Sequence, residues 1–204
     1  MAATDGVAAA LVALVRRCHA RGWVLATSGN FSVRTGADRF LITASGFDKG
    51  ELGEGDLGTV WLDGRQEFPA GRRASAETPL HAALYARDHE IGAIAHTHSR
   101  AATILSRQVG VGTLELLGWE MQKGVAGVAS HEQRVALPVV ANDQDTTRLA
   151  AAADARLGDD TPGYLIAGHG LYTWGADIAA AARHVEALEF LLDCELATRG
   201  GSVR

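Results

Sequence analysis

At 204 residues, 47% of them hydrophobic, the chain can bury one sizeable core, and no linker-like stretch divides it, so a single domain over residues 1–204 is expected. A net charge of −5 without any long basic run excludes nucleic acid as the main partner. No apolar run can span a bilayer, residues 7–15 lack the positive flank of a signal peptide, and two cysteines without framework spacing fit a reducing compartment, so a cytoplasmic protein with no membrane partner is expected.

Val7, Leu11, Leu14, Val15 and Cys18 share one face of a first helix, which Gly22 ends. Strands are predicted at 31–33, 40–43 and 59–62, with Asp63-Gly64 as a hairpin turn. A helix over about 76–88 precedes a strand at 91–95, and Ser99 is placed to cap a helix over 99–108. Then come a strand at 135–140, a helix over 143–157 capped by Asn142 or Asp143, and a strand at 164–167. A long final helix from Asp177 carries Ala181, Val185, Leu188, Leu192 and Leu196 on one face. Strands interleaved with helices define an α/β sandwich around a central sheet. Cys18 and Cys194 fall on helices without C-x-x-C spacing and read as ordinary thiols, and His19, His81, His89, His131 and His184 as surface or packing residues.

His96 and His98 follow the apolar run 91–95, and the two-residue period of a strand turns both rings the same way, as two ligands of one divalent metal require. His169 stands between glycines just after the apolar segment 164–167, a third histidine at a strand end. Three protein ligands with open positions are a catalytic zinc arrangement, since a structural zinc has four. Three small-residue turns, Thr27-Ser28-Gly29-Asn30, Thr43-Ala44-Ser45-Gly46 and Ser75-Ala76-Glu77, offer hydroxyls and accessible N–H groups to a phosphate.

The ordered set Ser28-Gly29-Asn30, Thr43-Ala44-Ser45-Gly46, Lys49, Asp56-Leu57, Ser75-Ala76-Glu77, His96-Thr97-His98 and Gly168-His169-Gly170 resembles the class II aldolase/adducin-head superfamily over nearly the whole chain. The resemblance implies a three-layer α/β/α sandwich with a mixed central sheet, assembled as a homotetramer. It implies one zinc ion per subunit on His96, His98 and His169. It also implies a sugar phosphate held by Ser28, Gly29, Asn30, Thr43, Ser45, Gly46 and Ser75. Glu77 matches the catalytic glutamate of the family's aldolases, while Ala76 replaces a serine and removes one phosphate hydroxyl. The segment Gly118-Trp119-Glu120-Met121-Gln122-Lys123-Gly124 is similar to that of the family's sugar-phosphate dehydratases, with Glu120 as the acid/base and Lys123 placed to hold the phosphate or orient that carboxylate. The reaction implied is dehydration, with Glu120 taking the C3 proton beside a zinc-polarised C2 ketone. The alternatives are a zinc-dependent sugar-phosphate aldolase, which Glu77 supports, and a non-catalytic adducin-like binding domain, which metal analysis would separate from either enzyme.

Overall fold

The computed structural model describes residues 2–158 and 160–200, with side chains for 6–158 and 160–199. Its first half runs α1 (Ala2–Ala20), β1 (Asn30–Gly36), β2 (Arg39–Thr43), β3 (Leu57–Trp61), β4 (Gln66–Glu67), α2 (Thr78–Arg87) and β5 (Ala93–Thr97). Then follow α3 (Arg100–Val109), β6 (Gly112–Leu116), β7 (Val135–Val140), α4 (Thr146–Asp154), β8 (Gly163–Ile166), β9 (Gly170–Gly175) and α5 (Ile178–Gly200).

The strands form one nine-stranded sheet in the order β4-β3-β2-β1-β5-β9-β8-β7-β6. Neighbours are antiparallel except β7 and β8, so the sheet is mixed. The helices α1, α3 and α5 cover one face, where Leu11, Val15, Leu105, Val185 and Leu188 bury against Val33, Ala93, Ala95, Leu137 and Leu171. On the other, α2 and α4 bring Leu80, Leu84, Leu149 and Ala153 onto Phe40, Ile42, Ile94 and Tyr172. Each sheet face thereby loses its apolar side chains to a helical layer, the three-layer solution expected.

Alternation along β5 decides what its C-terminal end presents. Ala93 and Ala95 enter the α1/α5 core, Ile94 the α2/α4 core, so His96 emerges on the α2/α4 side and Thr97 toward α5.

Several boundaries differ from the sequence reading. The sheet gains β4, an exposed two-residue edge strand paired with β3, and β6 and β9, whose buried residues pack on segments distant in sequence. At α2, Glu77 takes the cap position and Thr78 begins the helix. At α4, the Asp145 carboxylate accepts the N–H groups of Thr147 and Arg148, so neither Asn142 nor Asp143 is the cap and the helix starts at Thr146. Ser99 caps α3 as expected, accepting Ala102 N–H at 3.0 Å.

Candidate active site

His96 is the central side chain. Its cross-strand neighbours are Asn30 on β1 and Tyr172 on β9, and it stacks on the Tyr172 ring with centroids 4.0 Å apart. Its Nδ1–H donates to the Leu171 carbonyl at 2.9 Å, so the Nε2 lone pair is free for a cation. His98 follows the strand, its N–H bound to the Trp23 carbonyl, and its ring lies 4.5 Å from the rings of both His96 and His169. His169 occupies the turn between β8 and β9. Thr103 of α3 donates to its carbonyl, and its Nδ1 faces the Asn142 side-chain oxygen at 3.4 Å.

Glu77, in the cap position of α2, completes the group. Its Oε1 is 3.0 Å from His169 Nε2 and its Oε2 is 3.5 Å from His96 Nε2. One ligand atom from each of Glu77, His96, His98 and His169 lies within 4.8 Å of the others. His98 Nε2 is buried without a hydrogen-bond partner, a cost that a coordinated cation removes. Imidazole and carboxylate donors so disposed fit a divalent transition metal. Burial alone would raise the Glu77 pKa, but the charge and hydrogen bonds of His96 and His169 outweigh it and hold the carboxyl well below the usual range. Burial, reinforced by His96 and His169, lowers His98 to about 3, keeping it the neutral ligand a metal needs.

A chain of hydrogen bonds backs the carboxylate. The Asn30 amide donates to Glu77 Oε2 at 2.6 Å and faces Ser75 Oγ at 3.4 Å. Its carbonyl accepts His81 Nε2–H, which leaves His81 Nδ1 to accept Ser32 O–H at 2.7 Å, and Tyr85 O–H donates to Ser32 at 2.9 Å. His81 is therefore a fully buried member of this network. Burial lowers its pKa to about 3, so it stays neutral. Its spacing within an apolar helix gave no sign of this role.

The three small-residue turns meet beside the histidines. Asn30 reaches Ser75 across the first and third, and Ser45 N–H donates to the Arg73 carbonyl at 3.0 Å, joining the second to the chain leading into the third. Gly29 has φ +76°, and a Cβ there would overlap Val24 and the His96 carbonyl, so only glycine allows this approach. Thr43 Oγ1 accepts Phe31 N–H at 3.1 Å, Ser28 Oγ is buried without a partner, and Gly46 opens outward with φ +85°.

Glu120 lies elsewhere. It opens a 3₁₀ turn (Glu120–Gly124) and is exposed; Lys123 Nζ is 2.6 Å from its carboxylate, His131 3.7 Å, and no hydrogen bond joins it to the histidine group. The Lys123 hydrogen bond pulls its pKa below the usual value, so it is ionised at neutral pH.

Sequence reasoning passed over Glu189. It is buried on α5, accepts the Thr97 hydroxyl, and leaves its other oxygen unpartnered. The signal was present: Glu189 follows Val185 by four residues on an otherwise apolar face.

A nine-stranded mixed sheet between helical layers, with three histidines and a glutamate at one strand end, defines a class of protein. The family model described as Class II Aldolase and Adducin N-terminal domain matches residues 9–196, and the chain belongs to that family. It is 54% identical over 202 residues to the methylthioribulose-1-phosphate dehydratase of Sorangium cellulosum (strain So ce56), covering 98% of this chain and 95% of that one. It is 50% identical to the protein of the same name from Parvibaculum lavamentivorans, covering 91% of each. Among solved structures, L-fuculose-1-phosphate aldolase from Thermus thermophilus superposes with a TM-score of 0.76 at 31% identity, covering 96% of both chains.

Proposed function

We propose that this chain is a zinc-dependent dehydratase that converts 5-methylthioribulose 1-phosphate to 5-methylthio-2,3-dioxopentyl phosphate and water, a step of methionine salvage. The observation that carries this reading is the convergence of His96, His98, His169 and Glu77 beside the small-residue turns, in a chain 54% identical to a dehydratase of that substrate. One zinc ion per subunit fits the three imidazoles and leaves room for substrate. When bound, it supplies Lewis-acid polarisation of the C2 carbonyl.

The chain's own residues do the rest. Ser28, Gly29, Asn30, Thr43, Ser45, Gly46 and Ser75 orient the phosphate. Glu77, ionised and tied by Asn30, is the second carboxylate of the site. Glu120, ionised and oriented by Lys123, takes the C3 proton and returns it to the departing C4 hydroxyl, so water leaves and the enol tautomerises to the diketone. The separation of Glu120 from the histidines suits a homotetramer, the assembly the resemblance implies: exposed Leu117 and Met121 flank it, an apolar margin for a neighbouring copy to cover, whose histidine site would then receive Glu120.

A second reading rests on Glu77, the one carboxylate in the histidine group among the described residues. A sugar-phosphate aldolase would use it on the C4 hydroxyl to cleave C3 from C4. Incubation of the zinc-loaded protein with the methylthio-sugar phosphate, followed by mass spectrometry, separates the two. Dehydration removes the mass of one water, whereas two fragments mean an aldolase. Glu120→Gln is expected to keep metal and substrate binding and to lose about 10² to 10⁴ in kcat. Near wild-type dehydration by that variant overturns the role of Glu120.

A further inference from the structure

Lys49 is a buried cation that no carboxylate among the described residues touches, although the charge of the adjacent Asp48 acts on it. Its side chain is among the largest fully buried ones, at 1% exposure. Two of its three Nζ protons go to backbone carbonyls, Thr27 at 3.1 Å and Phe47 at 3.0 Å. No carboxylate among the described residues forms an ion pair with it, and its neighbour Asp48 turns instead to His19 at 3.5 Å and to the N–H of Gly50. A buried ammonium left so is expensive, and the interior of a folded protein pairs such charges with few exceptions.

Its position says what the missing anion is. Thr27 opens the first small-residue turn, and Phe47 directly follows Ser45-Gly46 in the second, so Lys49 stitches together the two loops that face the histidine group. Beside the Thr27 carbonyl, the hydroxyl of Ser28 is buried and also lacks a partner. An anion at this junction would meet the remaining Lys49 proton and a hydroxyl that no described residue partners.

We propose that Lys49 is a counter-charge of the substrate's phosphate, adding a full positive charge to a cradle of hydroxyl, backbone N–H and Asn30 amide groups. The inference rests on the phosphate-binding reading of the turns and adds the residue that gives them selectivity for a dianion. A sugar lacking the phosphate then meets the uncompensated ammonium, so Lys49 discriminates between phosphorylated and unphosphorylated substrates as well as binding one of them.

The probe is inorganic phosphate, titrated calorimetrically into the metal-loaded wild type and into Lys49→Met and Lys49→Arg, with metal content measured for each. Lys49→Met is expected to weaken phosphate at least about tenfold while metal content is unchanged, and Lys49→Arg to recover part of the loss. Thermal unfolding supplies a second readout: phosphate should raise the Tm of the wild type and leave that of Lys49→Met nearly unmoved, whatever its baseline. Phosphate binding by Lys49→Met equal to wild type overturns the proposal while leaving the cradle standing. No phosphate binding by the wild type overturns the cradle and the proposal together.

Discussion

A ring whose Nδ1 proton is committed to a carbonyl has only Nε2 to offer, and that constraint orders the candidate metal centre. Leu171 fixes His96 in this way and Asn142 faces His169, so both Nε2 atoms turn inward beside Glu77. His98→Ala is expected to lose most of its metal after dialysis against buffer and elemental analysis. Asn142→Ala is expected to keep the ion but weaken its affinity by about 10- to 100-fold in a chelator competition. Full metal content in His98→Ala would remove that residue from the ligand set. The histidines were legible because strand period and glycine flanks show in one dimension. Asn142 was not, because its value depends on Asp145 taking the helix cap and on the β8–β9 turn folding back to meet it.

Among the elements, β5 and β9 frame the site, and their pairing explains the glycine that follows His169. A Cβ on Gly170 would overlap the Thr97 carbonyl and approach the His96 ring to 3.3 Å, so the two strands hold their spacing only if this residue has no side chain. Gly168 is different: its φ is +67° and its nearest neighbour to such a Cβ is the Arg107 side chain at 3.8 Å. Gly170→Ala is therefore expected to cost about 1–3 kcal/mol by forcing apart packed backbone, and to weaken metal binding. Gly168→Ala is expected to cost only about 1 kcal/mol, through its left-handed conformation. Denaturant unfolding with metal titration of both variants measures this, and the reverse order would refute the account of β5 and β9.

Over the whole molecule, α5 joins the core to the site through Glu189. Burial raises its carboxyl to about 7, against the hydroxyls of Ser99 and Thr97 near it, which favour the charged form. A raised acid favours the folded state fully below its unfolded value, near 4.5, and loses that contribution as pH rises through about 7. The difference is worth about 3 kcal/mol. Glu189→Gln, which cannot ionise, is expected to gain on the wild type in unfolding free energy as pH rises from 4.5 to above 7, by up to about that amount. Chemical denaturation of both proteins across that range is the measurement, and a pH-independent difference would show that Glu189 does not ionise in this window.

Spacing along the chain was enough to specify the helices and every strand but β4, β6 and β9, the apolar faces of α1 and α5, the Ser99 cap, the three histidines and the turns. Which carboxylate joins the histidines was left to the packing of distant segments: Glu77 arrives from the start of α2 through Asn30 of β1, while Glu120 stays on the surface with Lys123. Likewise it took the folded sheet to bury His81 as the support of Asn30 and to bury Lys49 with no carboxylate in contact among the described residues. One cause underlies each case. Period and capping are properties of neighbours in sequence, whereas burial, tautomer and charge pairing depend on groups that only the packed sheet brings within a few ångströms of one another.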